Sequence, residues 1–66
     1  MLTLYTKENC PRCKVLRMKL DKKNIKYDEV SDIDVLISKG FKQAPMLEVD
    51  GEFMDLNKAN TFLNSL

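Results

Sequence analysis

The segment YTKENCPRCK, residues 5 to 14, holds both cysteines of the chain, Cys10 and Cys13, with Pro11 and Arg12 between them. Two cysteines at this spacing serve as a structural disulfide, as half of a metal site, or as a reversible dithiol/disulfide couple. A closed zinc site takes four ligands, and the chain has no histidine and no third cysteine. Only a dimer pooling two pairs would complete one, so a metal- or cluster-binding module in a dimer stands as the alternative reading. A staple closing so short a loop adds little, because disulfide stabilisation grows with loop length. A redox couple asks only for a thiol whose thiolate is stabilised.

The local sequence supplies that stabilisation. Pro11 is tolerated at the first position of a helix, where its missing N–H would have had no partner. Cys10 then falls at the cap, and the unpaired N–H groups of Arg12 and Cys13 point toward its sulfur from the positive end of the helix dipole. Lys7, Arg12 and Lys14 add positive potential, so the Cys10 thiol is expected below its ordinary value of about 8.5. Cys13 comes one helical turn later, on the same stripe as Leu16 and Leu20, and is expected to be the less exposed thiol. The freer dihedrals of a cap residue let the pair close into a bridge.

The elements that must position this pair follow from periodicity. Residues 2 to 6, LTLYT, alternate apolar and polar side chains and predict a strand. From Pro11 to Lys23 the period changes, with Cys13, Leu16 and Leu20 at i, i+3 and i+7 and Val15 and Met18 beside them, which predicts a helix ending at Asn24. IKYDEV, residues 25 to 30, predicts a second strand. In SDIDVLISKG, Ser31 with Asp34 resembles a capping box, Ile33, Leu36 and Ile37 form the expected buried face, and Gly40 suits the position just past the helix. MLEVDGEF, residues 46 to 53, places Asp50-Gly51 between two short strand signals and predicts a hairpin. Asp55 caps a last helix whose apolar positions are Leu56, Ala59, Leu63 and Leu66. The order is β-α-β-α-β-β-α. A helix joining the first two strands makes them parallel, and the hairpin is antiparallel, so the expectation is a mixed four-stranded sheet with three helices. Residues 1–66 form a single domain with no repeat or linker.

Composition narrows the function classes. A 44% hydrophobic, 32% charged chain of 66 residues is a folding chain rather than a disordered one. No apolar run approaches a membrane span and no leader pattern opens the sequence, which gives an expectation of a cytoplasmic protein without a membrane partner. The net charge is +1, split unevenly. Residues 1–26 carry eight cations against Glu8 and Asp21, a balance of +6, and the remainder carries −5. The cations lie mostly along one amphipathic helix with no interleaved aromatics, the pattern of a solvated basic face rather than of a nucleic-acid interface.

YTKENCPRC resembles the active-site segment of the glutaredoxins, in which a strand runs into a Lys-x-x-Cys-Pro-x-Cys segment that opens a helix. GFKQAP before an apolar strand is similar to the family's second landmark, a loop carrying a cis-proline, and most resembles the short glutaredoxin-like redoxins that donate hydrogen to ribonucleotide reductase. The resemblance spans nearly the whole chain. It implies an α/β minimal thioredoxin fold and a monomeric thiol-disulfide oxidoreductase and electron carrier. In these terms Cys10 is the attacking thiol, Cys13 the resolving thiol and Pro45 the cis-proline facing them, with Lys7, Arg12 and the backbone of Ala44 and Pro45 as substrate contacts. Lys7 matches the lysine that meets a glutathione carboxylate. The Gly-Gly pair that helps hold the other end of glutathione is missing from GEFMDLNKA, residues 51 to 59. The expected partners are therefore a disulfide-containing protein, with ribonucleotide reductase the implied one, and a flavoprotein disulfide reductase as electron source ahead of glutathione. No tightly bound cofactor is expected.

Overall fold

The computed structural model describes residues 1–66. Its elements are β1 (Leu2–Tyr5), α1 (Pro11–Lys22), β2 (Asp28–Val30), α2 (Ile33–Ser38), β3 (Met46–Val49), β4 (Glu52–Met54) and α3 (Leu56–Asn64). The sheet runs β2-β1-β3-β4, with β1 and β2 parallel and the β1–β3 and β3–β4 pairs antiparallel. This is the expected minimal thioredoxin fold, a mixed four-stranded sheet with three helices.

Alternation along β1 separates the two faces of the sheet. Leu4, opposite Leu47 of β3, joins Leu16 and Leu20 of α1 and Ala59 and Leu63 of α3 in a core from which water is fully excluded. The next residue, Tyr5, points the other way, its ring edge-on to Phe41 at 5.1 Å, while Phe41 meets Phe53 at 5.2 Å. Its hydroxyl donates to Glu48 at 2.7 Å. Burial and the neighbouring carboxylate push the Tyr5 pKa up to about 12, so this hydroxyl stays a proton donor at every physiological pH. The β3–β4 turn needs two left-handed residues, and Asp50 (φ 49°) and Gly51 (φ 87°) provide them, as a two-residue hairpin requires.

Four local expectations change. The second strand begins at Asp28 instead of residue 25, because Asn24 takes a left-handed φ of 56° and the Ile25 N–H turns back to the Leu20 carbonyl at 3.0 Å. That donor closes α1, and Ile25 and Tyr27 pack against the core from outside the ladder. The cap of α2 is Asp32 rather than Ser31, since the Asp32 carboxylate accepts the Asp34 N–H at 2.9 Å. Of the expected buried face of α2 only Leu36 is inside; Ile33 and Ile37 are 54% and 65% exposed. Six residues make fewer than two turns, so one side chain is turned inward and its neighbours stay at the surface. Leu66 lies past the end of α3 and is exposed.

These burial contrasts give an expected pair of outcomes. Leu47→Ala should cost about 2–5 kcal/mol, a large part of the roughly 3–10 kcal/mol available to a domain of this size. Ile37→Ser should change stability by no more than about 0.5 kcal/mol. Urea midpoints at constant m-value check both.

Candidate functional site

The chain leaves β1 through Thr6, whose N–H donates to the Val30 carbonyl at 2.8 Å, and reverses at Asn9 with a left-handed φ of 54°. This turn delivers Cys10 to the start of α1 in an extended conformation (φ −112°, ψ 100°), with Pro11 as the first helical residue. The Cys13 N–H donates to Cys10 Sγ at 3.1 Å. A sulfur thus occupies the role that a serine or aspartate oxygen takes at an ordinary helix start. Cys10 and Cys13 are joined as a disulfide with a Cα–Cα distance of 5.3 Å, within the range an unstrained backbone allows. Cys13 is only 1% exposed, while Cys10 is partly open to solvent. The two thiols therefore have the unequal accessibility that the stripe Cys13, Leu16, Leu20 predicts.

Cys10 lies at the junction of two clefts. One, about 410 Å³, is lined by Lys7, Asn9, Cys10, Arg12, Lys42 and Ala44, among others. The structure therefore brings together four of the sequence-predicted residues, Lys7, Cys10, Arg12 and Ala44. Pro45 is not part of that lining: the Ala44–Pro45 bond is cis, as expected, and the Pro45 ring is fully buried. The second cleft, about 730 Å³, carries Cys10 together with Lys7, Lys14, Arg17 and Glu29.

Sequence reading missed the network at the back of this second cleft. Arg17 donates to both Glu29 oxygens, from Nε at 3.2 Å and from the terminal nitrogen at 2.6 Å, and the buried Thr6 hydroxyl donates to Glu29 at 3.0 Å. Three elements meet here: the end of β1, the middle of α1 and β2. Its signal was present, because parallel pairing sets Glu29 beside Leu4, on the face that α1 covers, and Arg17 follows Cys13 by four residues on that helix.

No cluster of three or more His, Cys, Asp or Glu side chains is positioned to hold a metal ion, and the two thiols are bonded to each other, so the metal-binding alternative gains nothing from the geometry. No helix of the chain is long and apolar enough to cross a membrane.

A capped, bridged Cys-Pro-x-Cys at the start of a helix, on a four-stranded sheet of this order, defines a redox protein of thioredoxin architecture. The glutaredoxin family model matches residues 2–54. Among curated proteins, the glutaredoxin-like protein NrdH of Lactococcus lactis subsp. lactis is 32% identical, the match covering 76% of this chain and 78% of that one. Its counterpart in Lactococcus lactis subsp. cremoris is 30% identical over the same shares. Among solved structures, the glutaredoxin-like NrdH-redoxin of Escherichia coli superposes with a TM-score of 0.76 at 17% identity, covering 98% of this chain and 92% of that one. The thioredoxin-like protein BC3987 superposes over the full length of both chains with a TM-score of 0.80 at 22% identity. The chain belongs to the glutaredoxin family. It is a glutaredoxin-like thiol-disulfide oxidoreductase.

The Glu29 network has a pH signature. Its carboxyl is held below the ordinary value chiefly by the Arg17 hydrogen bonds, against the opposing effect of burial and with help from Thr6. A lowered folded-state pKa stabilises the fold above the unfolded value of about 4.3 and loses that effect as pH falls through the folded value. Both side chains are about one third exposed, so solvent screening limits the contribution to about 0.5–1 kcal/mol. Glu29→Gln should therefore lower stability at pH 7, with the difference from wild type shrinking as pH falls through the lowered Glu29 value; denaturant titrations at pH 7 and over an acid series read it.

Proposed function

We propose that Cys10 is the attacking thiol and Cys13 the resolving thiol of a two-electron cycle that reduces protein disulfides. The observation that carries this assignment is the Cys13 N–H directed at Cys10 Sγ, 3.1 Å away at the start of α1, with Cys13 itself buried. Negative charge on the Cys10 sulfur is favoured by that donor and by the helix dipole. In the cycle, the Cys10 thiolate attacks one sulfur of the substrate disulfide and the other leaves as a thiolate. The Cys13 thiol, losing its proton to water, then attacks the Cys10 sulfur of the mixed disulfide. The second substrate thiol departs, the Cys10–Cys13 bond forms, and two electrons have passed to the substrate.

Lys7, Arg12 and the backbone of Ala44 beside Pro45 are the substrate contacts in this reading. Its support is that Lys7, Arg12 and Ala44 line one cleft with Cys10. An extended substrate segment pairs there as a short added strand. The substrate class is a disulfide-bearing protein, with ribonucleotide reductase the member that the likeness to hydrogen-donor redoxins implies. A monomer is sufficient for this cycle, since one chain holds both thiols and the cap. It acts in the cytoplasm, where a reducing environment keeps such a couple cycling.

The electron donor is a flavoprotein disulfide reductase ahead of glutathione, and the chain carries no resident cofactor. Glutathione bears a carboxylate at each end, and each needs a donor. Lys7 meets one. At the same end of the sheet the start of α3 is already engaged, since the Asp55 carboxylate accepts the Lys58 N–H at 2.9 Å and repels a second anion. A partner protein needs no such pocket and is drawn by the basic surface of Lys7, Arg12 and Lys14. The thioredoxin-like activity profile described for the Escherichia coli NrdH-redoxin points the same way.

In the reduced protein Cys10 should alkylate faster than Cys13 at neutral pH, and Cys13→Ser should accumulate a mixed disulfide at Cys10. Peptide mapping after limiting iodoacetamide reads the order, and Cys13 as the faster thiol would reverse the roles. A flavoprotein reductase should sustain faster turnover than millimolar glutathione, with its lead narrowing as ionic strength rises. Steady-state assays with both donors over a salt series decide it, and efficient salt-insensitive reduction by glutathione would refute the donor assignment.

A further inference from the structure

The exposed face of α2 is the largest departure from the sequence pattern, and it lies beside the redox site. Ile33 and Ile37, one turn apart, are more than half exposed. With Leu36 and Phe41 they line a cleft of about 100 Å³. Lys7, Lys42, Gln43 and Ala44 complete that cleft, and the same four residues line the cleft of Cys10. The apolar groove is therefore continuous with the place where a substrate disulfide must sit. Its volume, about that of three waters, is below the range of small-molecule sites and suits one apolar side chain. Lys7 and Lys42, the cations shared by the two clefts, form neither of the chain's ion pairs, which are Met1–Asp50 and Arg17–Glu29.

We propose that the groove between α2 and Lys7 is a specificity site for the protein substrate: it takes an apolar side chain that lies a few residues from the substrate cysteine, with an acidic residue between them facing Lys7 and Lys42. The inference rests on the Cys10 assignment above, because the disulfide must be held at Cys10 for the neighbouring segment to reach the groove. Burying one aliphatic side chain against Ile33, Ile37 and Phe41 supplies affinity without any loss of ordered structure, since these residues already stand in place. The two lysines supply the sign of charge that the segment must carry. Asp32, at the start of α2, is engaged as the helix cap and faces its own backbone.

The test is single-turnover reduction of peptide disulfides by the pre-reduced protein, in which the two thiols become the Cys10–Cys13 disulfide and each peptide disulfide becomes two thiols. The probes are a set of peptides with one leucine and one glutamate moved through successive positions on either side of the cysteine, matching peptides with serine for leucine, and hydroxyethyl disulfide, which is too small to reach the groove. The expected result is a preferred leucine position at which the second-order rate constant exceeds that of the serine peptide by roughly tenfold. Ile37→Ser, at an exposed position where the fold tolerates it, should abolish that preference and leave reduction of hydroxyethyl disulfide unchanged; Ile33→Ser should do the same. No preferred position, a preference that survives both substitutions, or an equal loss on all substrates would overturn the proposal. Failure of the wild-type protein to reduce even hydroxyethyl disulfide would overturn the Cys10 assignment together with it.

Discussion

The rest of the structure turns on one hydrogen bond, from the Cys13 N–H to the Cys10 sulfur. A helix begins with donors that have no partner within the helix, and most helices meet this need with an oxygen. Here a sulfur takes the position, and the need becomes chemistry, because the donors that require an acceptor also stabilise a thiolate. Pro11 makes the arrangement stable by fixing the first helical φ and removing a donor that would otherwise go unmet. The turn at Asn9 and the tie from Thr6 to Val30 serve to bring Cys10 to that point from the end of β1. In turn, the core formed by Leu4, Leu16, Leu20, Leu47, Ala59 and Leu63 fixes the angle between β1 and α1 on which the cap depends.

A domain this small has little core to spare, which explains the contrast between its two faces. The face under α1 and α3 holds a closed apolar cluster. The opposite face is held by an aromatic group, Tyr5, Phe41 and Phe53, with the Lys39 ammonium over the Tyr5 and Phe53 rings at 5.5 and 5.9 Å. Aromatic pairs of this kind add about 0.5–1.5 kcal/mol beyond area burial, so three rings do the work that a longer α2 would do in a larger protein. The short α2 is thereby freed from packing, and its isoleucines remain available at the surface.

The order of elements, the hairpin, the placement of Cys10 at the start of α1 and the burial of Cys13 were legible in the sequence. Each depends on neighbours in the chain: Pro11 after Cys10, Asp50 before Gly51, and Cys13, Leu16 and Leu20 at helical spacing. What was not legible depends on which element covers which. The stripe Ile33, Leu36, Ile37 reads as a buried face by period alone, yet the length of α2 and its place in the fold decide that a single residue goes inside. The shortening of β2 follows from the Ile25 N–H returning to Leu20, a competition between helix closure and sheet pairing that local propensity does not rank. The Thr6–Glu29–Arg17 network needs the β1–β2 register before its members can be placed on one side.

The distribution of charge follows the same division between engaged and free groups. The net charge is only +1, yet five of the eight acidic residues beyond residue 26 are engaged by groups of the same chain. Glu29 holds Arg17 and Thr6, Glu48 accepts from Tyr5, Asp50 meets the N-terminal ammonium, and Asp32 and Asp55 cap α2 and α3. Where the partner is a cation, as for Glu29 and Asp50, the carboxylate projects little field into solvent, because the opposite charge lies within a few ångströms. Lys7, Arg12 and Lys42, by contrast, line the cleft of Cys10 without forming either of the chain's ion pairs. An almost neutral protein thus presents a positive face at its reactive sulfur, where a thiolate must be stabilised and where the encounter with an acidic partner begins.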